Sequence, residues 1–342
     1  GAVYVFVRSG TGWVEQQKLV ASDGAAQDRF GEWGVALDGD TALVGAGKDD
    51  NAGGADAGAA YVFVRSGTSW SEQQKLTASD GAAGDEFGVA SVALRGDTVL
   101  VGAWGHTHAG SPSNAGAAYV YTRAGTTWSQ RTELRASDGG AEDNFGWAVA
   151  LDGGTALIGA RQDTDPVALF AGSAYVFEGA SASWSEQAKF TAADLGAHSV
   201  LALFGHRVAL RGDLAVVGAV FTDHSSGSGD GAAYVFERNG TSWTQTQLAH
   251  SDGGIGDEFA WSVATDGSTV AIGAWLDDEA ALNAGAAFSY CARSAGVTPF
   301  LGDGLAGDLL SSNAVVPGGS QQRQVVGIGG RPAAGRQGDR QG

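Results

Sequence analysis

The sequence predicts an all-β protein: a β-propeller of four-stranded antiparallel blades, about five or six in number, complete or part of a seven-bladed ring. Three observations lead there. One segment recurs at spacings of 57, 58, 56, 59 and 54 residues, measured between its leading glycines. Each recurring unit divides into four short strand-like stretches separated by turn residues, with no helical period in any of them. Finally, the central stretches are apolar on successive positions, the pattern of a strand buried on both faces.

The repeat is read most easily from its third strand. Gly58-Ala59-Ala60-Tyr61-Val62-Phe63 returns at Gly116–Tyr121, Gly172–Phe177 and Gly231–Phe236, with partial copies at Gly1–Phe6 and Gly285–Tyr290. Other landmarks keep step with it. Trp13, Trp70, Trp128, Trp184 and Trp243 open the fourth strand. Phe30-Gly31, Phe87-Gly88, Phe145-Gly146 and Phe204-Gly205 precede the first strand, and Phe259-Ala260 departs from that pair. Gly45-Ala46, Gly102-Ala103, Gly159-Ala160, Gly218-Ala219 and Gly273-Ala274 close the second. The units run 30–76, 87–134, 145–190, 204–248 and 259–290, with 3–19 as a partial blade.

In the second unit the predicted strands are Val89 to Leu94, Thr98 to Ala103, Ala117 to Thr122 and Trp128 to Leu134. Arg95-Gly96-Asp97 between the first two suits a tight hairpin, because glycine accepts positive φ. The equivalents Asp-Gly-Asp, Asp-Gly-Gly and Asp-Gly-Ser make this Arg-Gly-Asp a turn in which arginine appears by variation, not an adhesion tripeptide. Each landmark has a packing role. The Phe is expected to wedge between neighbouring blades, with the Gly after it admitting a second backbone. Gly-Ala suits crowded strands, and the Trp is expected to cover the outer edge of the blade with its indole N–H towards solvent.

Two acidic sets accompany the repeat. Asp80 and Asp85 bracket the turn before Phe87, as Asp23 with Asp28, Asp138 with Asp143 and Asp252 with Asp257 do elsewhere. Asp before Gly is a turn signal, and paired carboxylates are also weak cation ligands. The loop after Gly-Ala carries Asp49, Asp50 and Asp56, then Asp163 and Asp165, then Asp277, Asp278 and Glu279. Oxygen-rich loops suit a hard cation such as Ca²⁺. These loops vary in spacing, and the second has His106 and His108 instead. They are also where a partner would dock.

Composition narrows the function. A net charge of −18 with 20 Lys and Arg disfavours nucleic acid or an anionic membrane as partner. No apolar run is long enough to insert directly into a membrane. The single Cys291 forms no intramolecular disulfide. The six histidines make no His-Glu-x-x-His pattern, and no Gly-x-Ser-x-Gly elbow or phosphate-binding loop occurs. Catalytic residues and cofactors are therefore expected to be none.

Phe-Gly followed 14 or 15 residues later by Gly-Ala resembles the FG-GAP repeat of integrin α-subunit propellers. It is closer still to bacterial FG-GAP repeat proteins that carry a Tyr-Val-Phe strand. The resemblance spans roughly residues 1–290 and implies a propeller, usually seven-bladed, in secreted or cell-surface proteins that bind proteins, glycans or matrix. Two departures matter. The family's third GAP residue is Pro, whereas here it is Gly47, Trp104, Arg161, Val220 and Trp275. The family's calcium loop, between the first and second strands, is replaced by turns such as Leu37-Asp38-Gly39-Asp40-Thr41, too short to wrap a cation.

The expected function is thus a non-enzymatic, extracellular or cell-surface binding and adhesion scaffold presenting variable loops to a protein or glycan. The alternatives are an accessory propeller of a larger secreted enzyme, or a hydrolase with an unrecognised carboxylate site. His206 stands where other units have Glu32, Val89, Trp147 and Trp261, and reads as a tolerated substitution. The chain opens in mid-pattern at Gly1, so an export signal would have been upstream. Residues 291–342 break the pattern and read as a poorly ordered tail, or as a shifted translation frame.

Overall fold

A computed structural model describes residues 1–108, 110, 113–164, 170–192, 201–222, 229–248, 256–278 and 283–291. The chain divides into two units, Gly1–Gly304 and Leu305–Gly342, and every described residue belongs to the first. The tail expected over 291–342 therefore lies, apart from Cys291, outside the described residues.

The described residues contain strands and turns and no helix. A hairpin of β1 (Val3–Ser9) and β2 (Gly12–Leu19) comes first. Four complete blades follow. They are β3 (Val35–Asp38), β4 (Thr41–Ala46), β5 (Ala59–Ser66), β6 (Ser69–Leu76); β7 (Val92–Arg95), β8 (Thr98–Ala103), β9 (Ala117–Ala124), β10 (Thr127–Leu134); β11 (Phe145–Asp152), β12 (Thr155–Ala160), β13 (Ser173–Ala180), β14 (Ser183–Phe190); and β15 (Phe204–Arg211), β16 (Leu214–Ala219), β17 (Ala232–Asn239), β18 (Ser242–Leu248). A three-stranded sheet of β19 (Phe259–Thr265), β20 (Thr269–Ala274) and β21 (Ala286–Cys291) ends the series. The β1–β2 hairpin forms its own two-stranded sheet and does not hydrogen-bond to β19–β21, so it does not complete that blade.

Within each sheet the strands pair antiparallel with sequential neighbours, as hairpin connections dictate, and single parallel bridges such as Gly58 to Phe87 join one blade to the next. In the four complete blades the first-to-second turns are two-residue hairpins, with Asp38 opposite Thr41, Arg95 opposite Thr98 and Asp152 opposite Thr155. First strands of successive blades pack closely along the row, whereas fourth strands barely meet. The sheets therefore radiate from a common inner side instead of stacking in line.

The core belongs to the joints between blades. Leu43, Ala60, Val62 and Leu76 of one blade share a cluster with Phe87, Val99, Val101 and Tyr119 of the next. Leu100, Ala118, Val120 and Leu134 meet Phe145, Ile158 and Tyr175 in the same way. Consecutive apolar residues arise from this: one face of a central strand serves the joint before it and the other the joint after it. Phe87, Phe145, Phe204 and Phe259 are fully buried, and Phe30 nearly so, each edge-on or tilted to an aromatic ring of the third strand. Burying each ring contributes about 1.5–3 kcal/mol.

The two glycine landmarks explain each other. Gly88 donates its N–H to the carbonyl of Gly102 in the same blade at 2.8 Å. A Cβ on Gly102 would lie 1.9 Å from the carbonyl oxygen of Gly146 in the next blade. Gly45 against Gly88, and Gly159 against Gly205, repeat the approach at 1.9 and 2.1 Å.

The tryptophans depart from expectation. Trp70 and Trp128 are buried, and their indole N–H groups donate to Gln16 and Gln73 of the preceding repeat at 2.9 Å instead of facing water. Trp184 turns its N–H to the carbonyl of Ser181, Trp243 packs on Phe190, and Trp13 is 69% exposed.

Candidate functional site

The acidic candidates separate into two structural classes. In the turn before the Phe, the second Asp holds the turn: Asp28 and Asp85 accept the N–H of Ala25 and Ala82 at 2.6 and 2.8 Å, and Asp143 accepts that of Gly140. The first Asp faces the third strand. Tyr61 donates its hydroxyl to both Asp23 and Asp49 at 2.7 Å, and the Lys75 ammonium reaches the same two carboxylates at 2.7 and 2.9 Å. Tyr175, Asp138, Asp163 and Lys189 rebuild this quartet in the third blade.

The electrostatics follow from that packing. The Lys75 hydrogen bond leads in holding the Asp23 carboxyl below its ordinary value. Burial works against the Lys75 ammonium, but Asp23 and Asp49 outweigh it and raise its pKa. Burial, reinforced by the two carboxylates, raises the Tyr61 phenol. A lysine ammonium thus occupies the position between the carboxylates at Asp49 and Asp163. Asp50 accepts the N–H of Asp56 at 2.9 Å, and Asp56 pairs with Lys48 at 3.2 Å. Asp277 is buried with its carbonyl accepting the N–H of Gly285, Asp278 is exposed, and Asp165 lies outside the described residues.

A different set of residues converges on the inner side of the blades. The residue after Gly-Ala in one blade approaches the residue after Phe-Gly in the next: a Cβ on Gly47 would strike Val89, and Trp104 packs edge-on to Trp147 at 5.5 Å. Arg161 lies over the Trp147 ring at 3.2 Å. His206 sits between Trp147 at 6.0 Å and Trp261 at 4.9 Å, and Trp261 continues to Trp275 at 5.1 Å. Arg207 reaches from the fourth blade to the Trp33 ring of the first at 5.7 Å. Because that contact joins blades distant in sequence, the cluster lies at the hub of the row.

This cluster consists largely of hydrogen-bond donors. Among the described residues neither Arg161 nor Arg207 pairs with a carboxylate. The buried indole nitrogens of Trp104 and Trp147, Nε of Arg161 and both ring nitrogens of His206 have no hydrogen-bond partner among the described residues. Trp and Arg offer donors only. Burial, with Arg207 beside it, lowers the Arg161 guanidinium to about 10. Burial, then the two arginines, depresses the His206 imidazole to about 3, so it is neutral at physiological pH.

A family model described as FG-GAP repeat matches residues 13–63, 70–121, 128–177, 184–236 and 243–290. The chain belongs to the FG-GAP repeat family. A comparison with curated proteins gives no match. Each FG-GAP segment starts at the fourth-strand Trp of one sheet and ends on the third strand of the next, so the repeat is offset by one strand from the blade. Every segment therefore ties two neighbouring sheets together covalently. The Arg95-Gly96-Asp97 turn links its blade to both neighbours: Gly96 N–H donates to Asp38 of the preceding blade at 2.7 Å and Arg95 pairs with Asp152 of the following blade at 3.1 Å, while Asp97 pairs with Arg123 of its own blade at 2.6 Å.

Two sequence signals pointed to the hub without revealing it. The non-proline residues after Gly-Ala, and the variation at His206, marked positions that the FG-GAP scaffold leaves free. That they meet is a consequence of blade geometry, which no single repeat displays.

Proposed function

We propose that this FG-GAP protein is a non-enzymatic binding scaffold, of the extracellular or cell-surface kind that its family resemblance implies, whose hub receives an acidic, acceptor-rich ligand such as an acidic glycan. One observation supports the reading: Arg161 and Arg207 are gathered among Trp33, Trp104, Trp147 and Trp261 without a carboxylate partner among the described residues. A buried donor left without an acceptor costs about 1–3 kcal/mol, so the cluster gains most from a ligand that brings oxygens. Arginine offers carboxylates and sulfates a planar pair of N–H donors. The indole rings add flat apolar faces, with Trp33 and Trp275 half exposed beside the partly buried Trp104, Trp147 and Trp261. A local cationic centre in a chain of net charge −18 also discriminates, because anions are repelled elsewhere on the surface.

The test is an array carrying neutral glycans, uronic-acid and sulfated glycans, and acidic peptides, probed at low and high salt. Retention of acidic glycans, weakening as salt rises, is the expected result. Retention of neutral glycans alone, or of nothing, overturns the proposal.

A further inference from the structure

We propose that the second blade holds a divalent transition-metal site, of the type that takes Zn²⁺, built from His106, His108 and Glu133. The three side chains bring one donor atom each to within 4.8 Å of the others. His106 and His108 are 3% and 6% exposed, with ring centroids 4.7 Å apart.

Hydrogen bonds fix which nitrogens face the site. Asp85 Oδ2, which already accepts the N–H of Ala82, lies 2.7 Å from His106 Nδ1. A carboxylate there places the proton on Nδ1 and leaves Nε2 as a lone pair, directed to within 3.9 Å of Glu133 Oε1. His108 Nε2 lies 3.0 Å from the carbonyl oxygen of Gly116, which can only accept. The remaining nitrogen, Nδ1, is buried and makes no hydrogen bond among the described residues, although Glu133 Oε1 is 2.9 Å away. Two imidazole lone pairs and a carboxylate thus face one another, an arrangement that a cation among them would satisfy. Donors on a tetrahedral zinc with bonds of 2.0–2.1 Å stand about 3.3 Å apart, between the two distances found here.

The surroundings suit such an ion. The Asp85–His106 pair is the carboxylate–histidine arrangement that orients metal-binding imidazoles. Arg135 clamps Glu133 from outside at 2.7 and 2.9 Å, fixing its carboxylate. Asp80 Oδ2, 3.8 Å from His106 Nε2, is placed to supply a fourth ligand.

Comparison between blades isolates the change. His106 and Glu133 occupy the places of Asp49 and Lys75, so the ammonium that sits between carboxylates in the first blade is absent here. His108 takes the place of Asn51 and keeps its bond, since Asn51 Nδ2 donates to Gly58 O at 2.8 Å. One blade therefore provides a template for a version of the other without the donor set.

The test uses the tag-free full chain, stripped with chelator and titrated with ZnCl₂ against a background of excess Ca²⁺. One equivalent of zinc should bind and raise the melting temperature, and Co²⁺ in its place should give the visible d–d bands of a tetrahedral site. The triple variant His106→Asp, His108→Asn, Glu133→Lys, which restores the chemistry of the first blade, should melt near the metal-free wild type and lose that equivalent. Asp85→Asn should weaken zinc binding roughly 10–100-fold. No stoichiometric zinc uptake by the wild type, or equal uptake by the triple variant, overturns the proposal. The first outcome would leave protons holding His106 and His108 against Glu133.

Discussion

Gln74 closes a two-point amide clamp on Trp128 of the following repeat: its Oε1 accepts the backbone N–H at 2.7 Å and its Nε2 donates to the carbonyl at 2.8 Å. Gln17 does the same to Trp70, with both distances 2.7 Å. A side-chain amide thereby imitates the strand pairing that the outer edges of radiating blades are too far apart to make. Gln74→Ala removes both bonds at a buried residue and should destabilise the protein by about 1–3 kcal/mol in a denaturant titration. Thr132 and Ala188 occupy the equivalent position before Trp184 and Trp243, where no such clamp exists, so Ala188→Ser should change stability by less than about 0.5 kcal/mol.

The glycines of the Phe-Gly and Gly-Ala landmarks should be far less replaceable than those of the hairpins. A Cβ at Gly102 meets the Gly146 carbonyl at 1.9 Å, whereas one at Gly96 meets nothing within 4 Å. Gly102→Ala must push two blades apart and should cost more than about 4 kcal/mol or prevent folding. Gly96→Ala is strained only by its φ of +57° and should cost about 1–2 kcal/mol. Equal melting temperatures for the two variants would contradict this account of the blade joints.

Lys75 should be indispensable to its quartet. Lys75→Gln leaves the nearly buried Asp49 beside Asp23 without a cation, and about 3–5 kcal/mol of destabilisation follows from leaving a buried charge uncompensated. Adding millimolar Ca²⁺ should rescue part of the melting temperature of the variant. A variant as stable as wild type in calcium-free buffer would show that the ion pairs there contribute nothing.

His206 should make stability depend on pH. Its folded-state pKa of about 3 lies below the ordinary 6.5, so the unfolded chain binds the proton first. Stability from this residue is complete above pH 6.5 and is lost progressively as pH falls towards 3. His206→Trp, the residue found at Trp147 and Trp261, should flatten that part of the stability profile. An unchanged difference between pH 7 and pH 4 in urea titrations would place His206 in contact with water.

Much of this fold was legible in the sequence because repetition multiplies weak signals. A single Tyr-Val-Phe stretch is ambiguous, but four landmarks recurring in fixed order defined the strands, the two-residue hairpins and the Phe wedge. The contacts between repeats were less legible. Nothing in Gln74 announces that it will grip Trp128, so the indole N–H was expected in water when it is bound to Gln73. The acidic loops suggested cation ligands, while Lys75, remote from Asp49 in sequence, became visible as their partner only when strand register placed it there. The hub was least legible. Trp33, Trp147, Arg161, Arg207 and Trp261 come from four blades, and only the convergence of first strands brings them together.

The most direct measurement of the hub's role is tryptophan emission during titration with a uronic-acid oligosaccharide, comparing wild type with Arg161→Ala/Arg207→Ala. Removing two half-buried cations that have no carboxylate partner among the described residues should not lower the melting temperature, which separates binding from folding. The wild type should show a saturable emission change that the double variant loses. An equal response from both proteins would place any acidic ligand elsewhere and contradict it.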